Sequence, residues 1–336
     1  MVGPSAELPA TLGISTPSSN NSDLRTKGWE VSIGWKDRLK NGLGYGINLS
    51  LSDQITMIDS YPDNKTLSID SYLPGYKDGL IWGYETIGIA KSDEEMQAHL
   101  ASLPKGGQDA VGSQWAAGDI MYKDLNGDGK ISEGARTLGD HGDLKILGDT
   151  YSHYFFGIDL NADWKGFDFR AFFQGVLKHD YWGSGNFTGM LFGVRGGYSR
   201  WHTRGFKQHE DYFRAEPAGL EGHELPANLD SYYPRPIFSD SSDGTSFGAK
   251  NQKVQSRYVQ DASYIRLKNL QFGYTLPAKF TNKFGINRLR IFVSGENVWT
   301  GTGLTKLFDP ETISGGNGGN AYPLSRTWSF GLSLTL

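Results

Sequence analysis

From Tyr322 to Leu336 the chain alternates apolar and small polar residues almost one for one. One set holds Leu324, Trp328, Phe330, Leu332, Leu334 and Leu336, interrupted only by Arg326; the other holds Ser325, Thr327, Ser329, Gly331, Ser333 and Thr335. Period two puts successive side chains on opposite faces of a β-strand. Strands of soluble sandwiches run to about five or six residues, whereas tilted strands that cross a bilayer need ~9–11. A run of this length constrains the fold more than any other feature of the sequence.

Six further segments read the same way, predicting seven long strands. Trp29, Val31, Ile33 and Trp35 alternate with polar or small residues, as do Leu43, Tyr45, Ile47, Leu49 and Leu51. Tyr154, Phe156, Ile158, Leu160, Ala162 and Trp164 oppose a set containing Asp159, Asn161 and Asp163, and Phe167, Phe169, Ala171 and Phe173 oppose Asp168, Arg170 and Gln174. Segments 262–276 and 288–300 are noisier but rich in β-branched and aromatic residues. The connections fall into two kinds. Short ones lie at 37–42, 165–166 and 277–287, the last with a helical turn over Ala278–Phe284; long ones span 57–150, 179–261 and 301–321. That asymmetry, with aromatics (Trp35, Tyr45, Trp164, Phe167, Tyr274) bracketing the short turns, is the pattern of an antiparallel transmembrane β-barrel with short periplasmic turns and long extracellular loops. The competing fold is a soluble β-sandwich whose aromatics fill a core.

Composition narrows the function. The 33 basic and 37 acidic residues are dispersed, which gives no basic face for nucleic acid. Cysteine is absent, so no disulfide or thiolate site exists, and no apolar run reaches the roughly 18 residues of a spanning helix. The 45 glycines and 13% aromatics favour β-structure with many turns. Met1–Ser5 has neither a basic start nor an apolar stretch, so the chain reads as lacking a signal peptide and its true N-terminus.

Four stretches, Asp23–Glu30, Gly118–Ile131, Asp261–Leu270 and Tyr322–Thr327, resemble the C-terminal barrel of SusC/RagA-type TonB-dependent transporters, and the resemblance covers nearly the whole chain. It implies an integral outer-membrane protein, not an enzyme. Such a protein imports glycans or oligopeptides beneath a SusD-like surface lipoprotein, with energy supplied through TonB. It implies that 1–336 is one piece of a larger barrel, without the plug domain that would meet TonB. One departure is Leu336, where many such barrels end in an aromatic residue. The reading from a different class is a secreted soluble β-protein that binds carbohydrate through aromatic loops.

Two sets of candidate site residues emerge. Asp124, Asn126, Asp128 and Lys130 match the opening of an EF-hand-type calcium loop, with side-chain oxygens at alternate positions and a backbone carbonyl from Lys130. The twelfth position, which should supply a bidentate carboxylate, is Ala135, so Glu133, Asp119 or Asp140 would have to complete the shell. The alternative is an Asp/Asn/Gly turn closed by its own hydrogen bonds. In the long loops, Trp82, Trp182 and Trp201 are candidates for ligand or partner contact, or else parts of small cores beneath those loops. The acidic run 93–95 reads as the first turn of a helix over Ser92–Leu100 capped by Ser92. Neither a His-Glu-x-x-His nor a Gly-x-Ser-x-Gly pattern occurs, and the scattered histidines read as surface-loop residues.

Overall fold

The computed structural model describes residues 2–4, 11, 13, 18–183, 191–192, 206–237, 249–314 and 321–336. Its frame is one seven-stranded antiparallel sheet made of β1 (Asp23–Arg38), β2 (Gly44–Ser60), β3 (His153–Trp164), β4 (Phe167–Lys178), β5 (Tyr264–Thr275), β6 (Arg288–Thr302) and β7 (Thr327–Thr335). Every strand pairs with its neighbours in sequence, from β1 at one edge to β7 at the other, so the sheet is an open meander. All seven strands expected from the alternation form, and each short turn is a hairpin. Between β3 and β4, Lys165 and Gly166 have φ of 48° and 92°, the paired positive values of a type I′ turn whose twist suits a two-residue hairpin. Between β5 and β6 the expected helical turn is present as Ala278–Thr281 followed by Asn282–Phe284.

One boundary differs from the sequence reading. β7 starts at Thr327, not at Tyr322, because the Leu324 amide donates to the Asp309 carboxylate and Ser325 gives its carbonyl to the Asn297 side chain. Residues 322–326 thus keep the period-two pattern without joining the ladder.

The register turns seven separate alternations into two continuous faces. Trp35 opposes Ile47, which opposes Leu160, then Ala171, Leu270, Gly295 and Trp328. A second row runs Tyr274, Ile291 and Leu332 beside Phe167 and Trp164. A one-residue slip in any strand would break these rows, so the apolar pattern itself fixes the register. The apolar face is open: Ile33 is 62% and Phe330 85% exposed, and among the described residues no second sheet covers it. A soluble sandwich would bury that face.

The packed core lies instead in the long loops. Tyr84, Met96, Ile120, Tyr122, Ile131, Leu191, Tyr258 and Ile313 belong to one buried cluster drawn from all three long connections. Short strand pairs, Leu80–Tyr84 with Leu144–Asp149 and Thr86–Ile89 with Ile120–Tyr122, stiffen it. Helix α1 (Asp93–Ala101) adds Met96, and its Ser92 hydroxyl accepts from the Glu95 amide as the expected N-cap.

Candidate functional site

The face opposite the apolar one is polar and laced with ion pairs between strands. Arg38 of β1 reaches over β2 to Asp163 of β3 at 2.8 Å, Arg170 of β4 binds Asp159 of β3 at 2.7 Å, and Arg290 of β6 reaches over β5 to Asp168 of β4 at 2.5 Å. Two glycines make room for the pairs that skip a strand. A Cβ at Gly44 would strike both Arg38 and Asp163, and one at Gly273 both Arg290 and Asp168. The Gly42–Gly46 run is therefore a strand entry that yields space to a guanidinium. Three phenylalanines also sit on this face; the Phe292 ring lies over Gly331 and that of Phe172 over Gly157.

Aromatic side chains gather at the hairpin end of the apolar face. Trp164, Phe167 and Tyr274 stand side by side on three strands, with the Phe167 and Tyr274 ring centroids 4.5 Å apart. The Trp164 indole N–H donates to the Asn41 carbonyl in the neighbouring turn. This row has the amphipathic chemistry of a membrane–water boundary. At the other end of the wall, Asp53 accepts from His153 at 2.7 Å, and the same ring reaches Asp149 at 3.1 Å, tying β2 and β3 to the strand that enters the loop core. His153 and His179 are buried, contrary to the expectation of surface histidines. Both sit where loops leave the sheet, a position that period-two reading does not locate.

The loop core is organised by one buried ionic hub that sequence reasoning missed. Asp119 accepts from Arg235 through both carboxylate oxygens at 2.8 Å, from Asn251 at 2.8 Å, from the Ala116 amide at 2.9 Å and from Lys250 at 2.7 Å. Lys250 is 0% exposed, also donates to the carbonyls of Ser113 and Gln114, and stands 4.7 Å from the Trp115 ring centroid. Burial pushes its ammonium below the usual lysine range, while Asp119 pulls it back. This hub joins the 57–150 loop to the 179–261 loop. Asp119 was legible only within the Gly118–Ile131 stretch and as a carboxylate to complete a calcium shell, neither of which names the hub, and Lys250 had no local signal.

That stretch is a structural thread. Asp119 anchors the hub, Ile120 and Tyr122 are buried in a short strand, and Ile131 returns to the core. Between them, Asp124 accepts from the Gly127 and Gly129 amides at 2.6 and 2.8 Å, Asn126 from the Asp128 amide and Asp128 from the Lys130 amide. Both Asp124 oxygens are thereby engaged. Of the carboxylates proposed to complete a calcium shell, Glu133 is paired with Arg136, Asp119 is in the hub and Asp140 accepts from the Ala135 amide. Among the described residues no group of three or more carboxylates and histidines could hold a metal ion. This geometry favours the self-closed turn, so added calcium should leave thermal unfolding of the protein unchanged, and Asp124→Ala should lower stability equally with calcium or chelator. A calcium-dependent rise in melting temperature, lost in that variant, would restore the cation site.

Trp82 and Trp182 are half-buried against the loop core, Trp82 beside His141 and Trp182 beside Phe192, as expected of small cores under long loops. Trp82 also lines an open cavity with Tyr61 and Tyr72. Trp201 lies outside the described residues.

An open antiparallel wall, apolar on one face and charged on the other, with a core held in its loops, defines a segment of a barrel-type membrane protein. The comparisons agree. The chain is 27% identical to TonB-dependent receptor P3 of Formosa agariphila over 97% of its own length, and 25% identical to TonB-dependent receptor P26 of the same organism over 98%. It spans 30% and 31% of those two proteins, about a third of the curated relatives it matches. Among solved structures it superposes on the RagAB peptide importer in its open-open state with a TM-score of 0.59 at 18% identity, covering 98% of this chain and 30% of that one. The closed-closed state gives 0.57 at 18% identity. No family model matches the chain. The chain is thus a homologue of TonB-dependent receptors, and the resemblance carried by its motifs stands; none of these relatives is named as an enzyme.

Proposed function

We propose that this chain forms one side of the wall, and much of the extracellular loop body, of an outer-membrane TonB-dependent transporter. In this reading the transporter imports glycans or oligopeptides beneath a SusD-like lipoprotein and couples to TonB through parts of the receptor outside this chain. The observation that carries the reading is the register, which aligns seven alternating strands into one unbroken apolar face opposite one ion-paired polar face. In lipid every backbone group must be paired internally, so the free edges of β1 and β7 call for further strands that close the wall. The polar face then lines the transport chamber, and the loop core holds the extracellular loops in a fixed shape for substrate and lid. The role is positional; no bond is made or broken.

Because the chain has no cysteine, single cysteines report directly on topology. In a full-length receptor otherwise free of cysteine, a membrane-impermeant maleimide should label Leu220→Cys on intact cells. It should label Phe284→Cys only after permeabilisation, and Leu49→Cys and Phe272→Cys in neither case. Ready labelling of Leu49→Cys and Phe272→Cys would show that the apolar face meets water, and would defeat the membrane reading.

A further inference from the structure

A cavity of about 460 Å³ opens on the polar face at the loop end of the wall, between β5, β6 and the segment leading into β7. The register assigns its floor: Arg266 opposes Gln174 on one side and Thr300 on the other, all on the polar face. Arg266 is only 3% exposed. Its guanidinium donates to Thr300 Oγ1 at 2.8 Å through Nε and to Asp309 at 2.8 Å through Nη2. Nη1 lies 3.4 Å from Glu311, a carboxylate already held by Lys268 at 2.9 Å, and has no hydrogen-bond partner. Asn297 lines the same cavity; its Nδ2 donates to the Ser325 carbonyl while its buried Oδ1 accepts nothing.

Two more cations line this cavity, Lys306 and Arg326, and neither makes an ion pair or side-chain hydrogen bond among the described residues. The one carboxylate in the lining, Asp309, is consumed by Arg266 and by the amides of Glu311 and Leu324. The lining therefore has a surplus of positive charge at its exposed rim, over a floor where Arg266 Nη1 has only the Glu311 carboxylate at 3.4 Å and the buried Asn297 Oδ1 has no donor. Such orphaned groups are costly in a packed protein and mark places where a partner is missing. Asn297 holds φ at 51° at the β-bulge opposite Leu267 and Asn269, a left-handed conformation that asparagine adopts more readily than most residues. Arg326, the single break in the alternation of the C-terminal run, thus has a place: it is a cavity residue ahead of the strand.

We propose that this cavity is a subsite for a carboxylate-bearing substrate. The carboxylate would be taken by Lys306 and Arg326 at the open rim, above the Arg266 guanidinium of the floor, and a neighbouring polar group of the same substrate would face Asn297. The proposal rests on the transport reading and deepens it by naming the charged group that the chamber wall selects. A peptide with a free carboxyl and an acidic sugar both present that chemistry. The test is binding to the full-length receptor purified in detergent, using matched pairs: a short peptide and its C-terminal amide with neutral side chains, and an oligogalacturonate and its methyl ester. The acid of one pair should bind roughly tenfold or more tightly than its neutral form, as loss of a charge-assisted hydrogen bond implies; which pair responds names the source. Lys306→Gln and Arg326→Gln sit at the rim and hold no structural contact, so they should fold normally and erase that preference. Equal binding of acid and neutral forms in both pairs, or an acid preference that survives both substitutions, overturns the subsite. Neither result touches the topology, which the cysteine labelling decides separately.

Discussion

Replacing Phe169 with arginine should block assembly of the receptor in the outer membrane, whereas Ser294→Arg should assemble at close to the normal level. Phe169 lies on the apolar face of the central strand β4, flanked by Ala162 and Phe272, and is already 37% exposed in the isolated sheet. In a soluble protein an exposed position of that kind tolerates charge to within roughly 0.5 kcal/mol. On the lipid face of a barrel an arginine costs about 2–4 kcal/mol near the bilayer midplane. Ser294 lies on the other face between Gln271 and Ser329, where a guanidinium would meet polar groups and water. The check is heat-modifiable migration of the folded barrel in outer-membrane fractions. Equal assembly of the two variants would remove the physical basis for two differently solvated faces.

The second large effect is expected in the loop core. Asp119→Ala should destabilise the loop body by about 3–5 kcal/mol, because it strands the Lys250 ammonium in a site with no access to water. Arg235 would lose its bidentate partner in the same step. The double variant Asp119→Ala with Lys250→Met should recover part of that loss, since removing both buried charges costs less than leaving one unpaired. Limited proteolysis of the extracellular loops on intact cells reads this directly: rapid nicking for the single variant, slower for the double. If the single variant resists protease like the parent, the hub does not hold the two long loops together.

The wall was largely legible because a strand exposed to lipid on one face and to polar surroundings on the other writes its geometry into every second residue. Tyr154–Trp164 and Phe167–Phe173 show this well, and Lys165-Gly166 announces its own turn. Legibility failed where backbone geometry departs from the ladder. Residues 322–326 alternate yet bond to Asp309, and β2 runs on past Leu51 to Ser60 because its second half pairs with Asp23 to Trp29 of β1. The loop core was mostly hidden. Asp119 and Lys250 are 131 positions apart, and nothing in either neighbourhood names the other. The same holds for Asp53 and His153, which meet only once β2 and β3 are paired. The aromatic loop residues were visible, but sequence could not choose between packing and recognition; the structure packs Trp82 and Trp182 against the loop core.

The separation of an unpacked wall from a packed loop body implies two rules for drift in this one chain. In the membrane reading, the neighbours of Ile33 or Phe330 on the outer face of the wall would be fluid acyl chains that close around whatever apolar shape is offered. Exchanges of size there leave no void, and only a gain of charge is punished. Inside the loop body, Met96 and Ile120 meet fixed neighbours, and each lost methylene leaves a hole that cannot heal. Substitutions among distant relatives should therefore be conservative in polarity but free in volume along the strands, and constrained in volume within the buried loop positions.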